Sequence, residues 1–187
     1  MNPKEFKIPS IDKSEIVYKN RLMTIKKDTL RLENHPPYDY YSVSTFPASV
    51  VVLPITREGL FLLTEEYRHP TRQVIIGCPG GYIDENEDPM EAASRELFEE
   101  TGYKADSLHS LGSAYPYAGV SGQKVYYFCA LGVYYAAPPL LEAAEIIRVR
   151  PASLETVNQL IDDQIPLDAN FCTAFFLLKR KKFLESS

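Results

Sequence analysis

The sequence predicts an α/β fold in which a small antiparallel β-sheet precedes the main body of the chain. Three observations carry this. Residues 15–45 alternate apolar and polar side chains in part, around a turn signal, as a β-meander does. Residues 48–55 form an unbroken apolar run of the kind a central strand needs. Residues 89–101 read as a helix with its own start and stop signals, and two further helical stretches lie near the C-terminus.

In chain order, residues 1–14 are polar and charged and read as a loose arm without a signal-peptide apolar core. Strands follow over residues 15–20 and 22–32, then the turn signal Asn34-His35-Pro36-Pro37, then a tyrosine-rich strand over 38–45. After the apolar run 48–55, Arg57-Glu58-Gly59 turns the chain and residues 60–66 return as a strand. Residues 74–79 form the next strand. The helix over 89–101 has Asp88 as N-cap, Pro89 at the first helical position, Glu91 at N3 and Gly102 at C′. Strands are expected over 107–115 and 124–133, joined by a glycine-containing loop, and another within 140–149 after Pro138-Pro139. Ser153 caps a helix over 153–163, and Asp168 caps a last helix over 169–183. The run Lys179-Arg180-Lys181-Lys182 complements that helix's dipole and reads as a solvated end rather than a nucleic-acid patch.

The chain has 187 residues, a 45% apolar share and a net charge of −5, which argues against a general nucleic-acid surface. A phosphorylated substrate is compatible with that charge only if a metal supplies the positive charge. No stretch reaches transmembrane length, so a cytoplasmic protein without membrane partners is the default expectation. Cys78, Cys129 and Cys172 are odd in number and widely spaced, without zinc or disulfide spacing, and read as small apolar residues in or near the core.

The chemistry concentrates on the helix over 89–101. At about 100° per residue, Met90, Ala93, Ser94, Leu97 and Thr101 share one stripe, and Glu96, Glu99 and Glu100 share the adjoining arc. Like charges three and four apart repel, and hard cations such as Mg²⁺ want carboxylate oxygens. Alone, such a cluster is a solvated acidic face. Here Gly80-Gly81 precedes the helix, Glu87 stands at its entry, and Arg95 lies beside the carboxylates, able to fork onto them.

The stretch Gly81 to Tyr103 resembles the Nudix box, with Tyr103 where the family has an aliphatic residue. The resemblance implies an α/β/α sandwich with a mixed sheet. It also implies hydrolysis of a nucleoside diphosphate linked to another group, with Mg²⁺ or Mn²⁺ as cofactor. It places the metal on Glu96 and Glu100, with Glu99 assisting and the Gly80 carbonyl contributing, and makes Glu87 and Arg95 supports. The stretch Glu65-Glu66-Tyr67-Arg68-His69-Pro70 is similar to the ADP-ribose pyrophosphatase branch, in which the arginine matching Arg68 contacts phosphate. By residue type alone Arg68 reads as a surface arginine. Gly77 stands where that branch carries Glu before the box, and Ala118 and Gln123 stand where its loop has Pro and an acid. Gly119 and Gln123 are the loop's candidates for substrate contact. Glu145 matches the branch's water-activating glutamate, with Glu142 in reserve; without the resemblance both read as solvated loop acids.

The expected function is therefore hydrolysis of a nucleoside diphosphate sugar, ADP-ribose foremost, to a nucleoside monophosphate and a sugar phosphate. The alternatives are another nucleotide substrate, such as a dinucleoside polyphosphate or a modified nucleoside triphosphate, or a non-enzymatic sensor of the same fold. Residues 1–46 form an N-terminal arm and sheet for dimerisation and residues 47–187 the catalytic domain, because a short meander needs a packing partner. The resemblance adds a homodimer in which this sheet is exchanged between protomers.

Overall fold

Strand β4 (Ala48–Thr56) is buried on both faces, and its side chains divide between two cores. Val50 and Val52 pack with Leu62, Ala92, Ala93, Leu97, Phe128 and Ala130. Val51, Leu53 and Ile55 pack on the other side with Phe61, Tyr127, Val157, Phe171 and Leu178. A period of two on a strand with both faces covered is why residues 48–55 read as a continuous apolar run. The computed structural model that shows this describes residues 7–45, 48–141 and 145–181.

The described residues fall into two units. The larger comprises 48–116 and the described residues from 124 onward. Its sheet contains β4, β5 (Phe61–Arg68), β6 (Gln73–Gly77), β7 (Tyr103–Lys104), β8 (Ser107–Ala114), β9 (Lys124–Tyr135) and β10 (Ile147–Ala152). The order is β10-β5-β4-β9-β7, with β6 also on β5 and β8 also on β9. The sheet is mixed, since β4 and β9 run parallel and β5 pairs antiparallel with β6 and β10. Helix α1 (Pro89–Thr101) supplies Ala92, Ala93 and Leu97 to one core. Helices α2 (Leu154–Asp162) and α3 (Ala169–Arg180) supply Val157, Phe171, Ala174 and Leu178 to the other. The result is the expected α/β/α sandwich.

The caps behave as their residue types dictate. Asp88 accepts from the Met90 N–H at 2.8 Å, and Asp168 from the Asn170 N–H at 2.7 Å. Gly102 takes φ 76° and donates to the Phe98 carbonyl, ending α1. The last helix ends at Arg180 with Lys181 as its cap, so the expected extension to 183 runs past the described residues. The strand expected within 140–149 starts only at Ile147. Cys129 is buried in the core, Cys78 is half-buried against it, and Cys172 is exposed.

The smaller unit holds residues 7–45 and 117–123. Strands β1 (Ser10–Lys19), β2 (Thr24–Arg31) and β3 (Tyr38–Ser44) form an antiparallel sheet in sequential order. Segment 117–123 joins β3 through the Val43 N–H to the Val120 carbonyl at 2.7 Å and the Tyr40 hydroxyl to the Gly119 carbonyl at 2.6 Å. The loose arm expected over residues 1–14 is corrected in part, because β1 already starts at Ser10. Its polar residues are matched across the strand pair: Asp12 with Arg31 at 2.7 Å, Ser14 with Asp28, and Glu15 with Lys27. Among the described residues, no helix is long and apolar enough to cross a membrane.

Candidate active site

The strip ahead of α1 is laced to β4. The Val52 N–H donates to the Pro79 carbonyl and the Val50 N–H to the Gly81 carbonyl, each at 2.9 Å, and Tyr82 bridges Ser49 antiparallel. Backbone groups alternate sides along an extended chain. The Gly80 N–H therefore points away from β4 and donates to Glu100 Oε2 at 2.9 Å. Side chains are excluded here: a Cβ on Gly80 would overlap the Val50 carbonyl, and one on Gly81 would overlap the Glu96 carboxylate.

Arg95 gathers the acids on its side of the helix. Its Nε and Nη2 grip the two Glu87 oxygens at 2.8 Å each, a bidentate fork. Nη1 donates to Glu96 Oε1 at 2.8 Å and to Glu99 Oε2 at 3.0 Å. Nη2 also reaches the Tyr82 carbonyl at 2.9 Å, which ties the strip to the helix. The guanidinium holds the Glu87 carboxyl below its usual range.

Glu100 sits in a different environment. It is buried with Leu97 and Thr101, while Met90 and Ser94, which share the stripe of those two residues, are exposed. Burial pushes its carboxyl up to about 8, against the opposing Gly80 N–H, and the charges of Glu96, Glu66 and Glu145 add to the rise. Burial also raises Glu96, with Arg95 opposing and Glu99 and Glu145 adding to the rise. These carboxylates repel one another in a poorly solvated place, the condition that a hard cation relieves. Among the described residues, no three acidic, histidine or cysteine side chains form a finished metal cage. The residues thus offer an all-oxygen donor set that fits a divalent cation in chemistry, rather than a closed cage.

The end of β5 faces the same place. Arg68 is its last residue and pairs through Nη2 with Glu66 Oε2 at 2.7 Å. Glu145 lies two residues before β10, whose Ile147 pairs with Glu66. Its charge is felt by Glu66, Glu96 and Glu100, so Glu145 lies within electrostatic reach of the helix carboxylates. Glu142 lies outside the described residues. Gly119 and Gln123 belong to the smaller unit, where the Gly119 carbonyl accepts from Tyr40 and the Gln123 N–H donates to Ser121 Oγ at 3.1 Å.

Two residues of this neighbourhood were not singled out as site residues from the sequence. Glu66 is half-buried, and its carboxyl is raised by burial against the lowering effect of Arg68. Its spacing of two from Arg68 on a strand, which puts both on one face, was the available signal. Asp168, predicted as a helix cap, also bears a charge that reaches Glu66. A Cβ on Gly77 would stand 3.3 Å from the Asp168 Cβ, so a larger residue at position 77 would crowd the cap.

With this geometry in hand, comparison with known proteins is direct. The NUDIX domain matches residues 45–174. The chain is 32% identical to the ADP-ribose pyrophosphatase of Bacillus subtilis over 142 residues, 75% of this chain and 76% of that protein. It is 26% identical to a CMP-5'-(N-acetyl-N-hydroxy-3-aminopropyl)phosphonate hydrolase of Streptomyces rubellomurinus over 148 residues, 78% of this chain and 70% of the other. The crystal structure of an ADP compounds hydrolase superposes with a TM-score of 0.84 at 26% identity, covering 95% of this chain and 96% of that one. The box helix, the sandwich and the relatives agree, and the chain belongs to the NUDIX family as one of its pyrophosphohydrolases.

Proposed function

We propose that this enzyme hydrolyses the diphosphate bond of a nucleoside diphosphate sugar, with ADP-ribose the leading candidate and Mg²⁺ as cofactor (Mn²⁺ the alternative). The observation that carries this is the meeting of α1 and the β5–β10 end of the sheet. The charge of Glu145 raises the carboxyls of both Glu96 and Glu100, and that of Glu66 raises Glu100 as well, which supports this reading. The likeness to the ADP-ribose pyrophosphatase of Bacillus subtilis points to the substrate class.

Glu96, Glu100 and the Gly80 carbonyl would hold the metal, with Glu99 assisting. When bound, the metal would neutralise charge on the diphosphate oxygens and acidify a water. Arg95 and Glu87 keep the helix carboxylates in place. Glu145 accepts the proton of the attacking water, with Glu142 in reserve. Arg68 forks onto the diphosphate, placing its phosphorus atoms for attack. For ADP-ribose, one water is consumed and AMP and ribose 5-phosphate are released.

A second reading, a different base or a different group beyond the diphosphate, is favoured by Ala118 and Gln123. These stand where the resembling branch has Pro and an acid. The CMP-linked substrate in the name of the Streptomyces rubellomurinus relative points the same way. The test is a panel of ADP-ribose, GDP-mannose, a CMP-linked phosphonate and diadenosine tetraphosphate, each with Mg²⁺ and with Mn²⁺. Nucleoside monophosphate release is followed. Highest kcat/KM on ADP-ribose with Mg²⁺ supports the first reading; a preference for another member of the panel replaces it.

A further inference from the structure

We infer that Glu66 is a positioning residue that holds the Arg68 guanidinium ready for the substrate diphosphate. The inference rests on the proposed reading of Arg68 as a phosphate contact.

The backbone of Arg68 is fixed from two directions. It pairs with Gln73 of β6. Its carbonyl accepts from the Arg72 N–H at 2.9 Å, the Thr71 N–H at 3.2 Å and the Thr71 hydroxyl at 3.0 Å. Arg72 adopts φ 54° to close that turn. Among the described residues no backbone group holds the side chain, and 52% of it is exposed. A long side chain of that kind samples many rotamers, and freezing it on binding weakens affinity.

Glu66 supplies the missing restraint. It lies two residues upstream, so its side chain leaves the same face of β5. Its Oε2 stands 2.7 Å from Arg68 Nη2, and only 15% of the Glu66 side chain is exposed. The strand is flanked on both sides at this point, by Ile75 of β6 and Ile147 of β10. A fixed carboxylate therefore grips one terminal nitrogen of a mobile fork. The guanidinium has five donors in one plane, so one such grip still lets it present two N–H groups to phosphate oxygens. Glu65, on the opposite face, is engaged with Arg150 at 3.1 Å and does not compete. Asp168 and Glu145 add negative charge around Glu66. This favours keeping the cation folded back along the strand until a diphosphate arrives.

The test uses the full chain with ADP-ribose and Mg²⁺. Arg68→Ala, Glu66→Ala, the double variant and Glu66→Gln are compared for KM, kcat and thermal midpoint. Affinity for a methylene-bridged ADP-ribose analogue is measured by calorimetry in parallel. Glu66→Ala should raise KM and the analogue Kd about threefold, the size of one partly exposed ion pair. Its kcat should change far less, as for a group that binds ground and transition states alike. Adding Glu66→Ala to Arg68→Ala should cost nothing more. Glu66→Gln keeps an oxygen for the guanidinium and should restore much of the loss.

Additive effects in the double variant, or a neutral Glu66→Ala beside a damaging Arg68→Ala, overturn the positioning role and leave Arg68 as the phosphate contact. A neutral Arg68→Ala overturns that contact and the positioning role with it. Loss of kcat at unchanged KM in Glu66→Gln would instead make Glu66 a proton acceptor and overturn the inference.

Discussion

The Gly80 N–H donates to Glu100 Oε2 at 2.9 Å, and this bond joins the glycine strip to the buried end of α1. Gln at position 100 keeps an oxygen for that bond and removes the charge. Glu100→Gln should therefore fold normally yet lose about two to three orders of magnitude in kcat, as sites do when a charge-stabilising group is removed. Steady-state rates at limiting Mg²⁺ check this. A variant close to wild type would take Glu100 out of the metal site.

The same residue sets a pH dependence of stability. In the metal-free protein the folded state holds the Glu100 proton more tightly than the unfolded chain, with a pKa raised from 4.5 to about 8. Its contribution is therefore fully present below about pH 4.5 and is lost as pH rises to about 8. Glu87, held below its usual range by Arg95, acts in the opposite sense and loses its contribution as pH falls through its lowered pKa. Thermal midpoints of metal-free wild type and Glu100→Gln, measured between pH 5 and pH 8, isolate the first effect. The wild type should lose more stability than the variant across that range, and Mg²⁺ at the upper end should restore it. Parallel curves would contradict the assignment.

Arg95 spends its fork on Glu87, Glu96, Glu99 and the Tyr82 carbonyl. Lysine has three donors at a point and cannot span this set. Arg95→Lys should lower stability by about 1–3 kcal/mol, a range discounted for partial exposure. The readout is the urea midpoint at constant m-value. Activity should fall further than stability does, because Glu96 and Glu99 lose their common tether.

What was legible in the sequence was local. Asp88, Pro89 and Gly102 mark the ends of α1 by backbone chemistry that needs no knowledge of the rest of the fold. The runs in β4 and β9 are apolar enough to announce a covered sheet. The features not legible in the sequence depend on contacts far apart in it. Glu100 is buried because Gly80, twenty residues away, lets the strip approach the helix. Residues 10–14 looked too polar for a strand, yet the partners that match them lie on β2. The setting of Glu66 is not legible either, because it depends on β6 and β10 flanking the strand on both sides.

Glu145→Gln addresses the water-activating role. The charge of Glu145 reaches Glu66, Glu96 and Glu100. Loss of a general base costs about 10²–10⁴ in kcat and removes the acidic limb of the pH–rate profile, with a smaller change in metal affinity. An unchanged profile would pass the role to Glu142 or another group.

The last prediction concerns assembly. The three-stranded sheet β1-β2-β3 exposes Ile11, Ile16, Val17, Tyr18, Tyr38, Tyr40 and Tyr41, and Leu22 and Met23 are exposed in the turn between β1 and β2. The same sheet carries cross-strand ion pairs such as Lys27 with Glu15 and Arg31 with Asp12. A small sheet needs an apolar face packed on something to be stable, and apolar surface of this extent marks an interface more often than a solvated face. A second copy of the chain is the proposed partner, in a two-fold dimer through the self-complementary use of one patch. Sedimentation at micromolar concentration should give twice the 21.2 kDa chain mass. Replacing Ile16 and Tyr18 together by Asp and Lys should shift the population to monomer without changing the spectroscopic signature of the larger unit. A wild-type monomer at full activity would refute the dimer and leave the chemistry of α1 untouched.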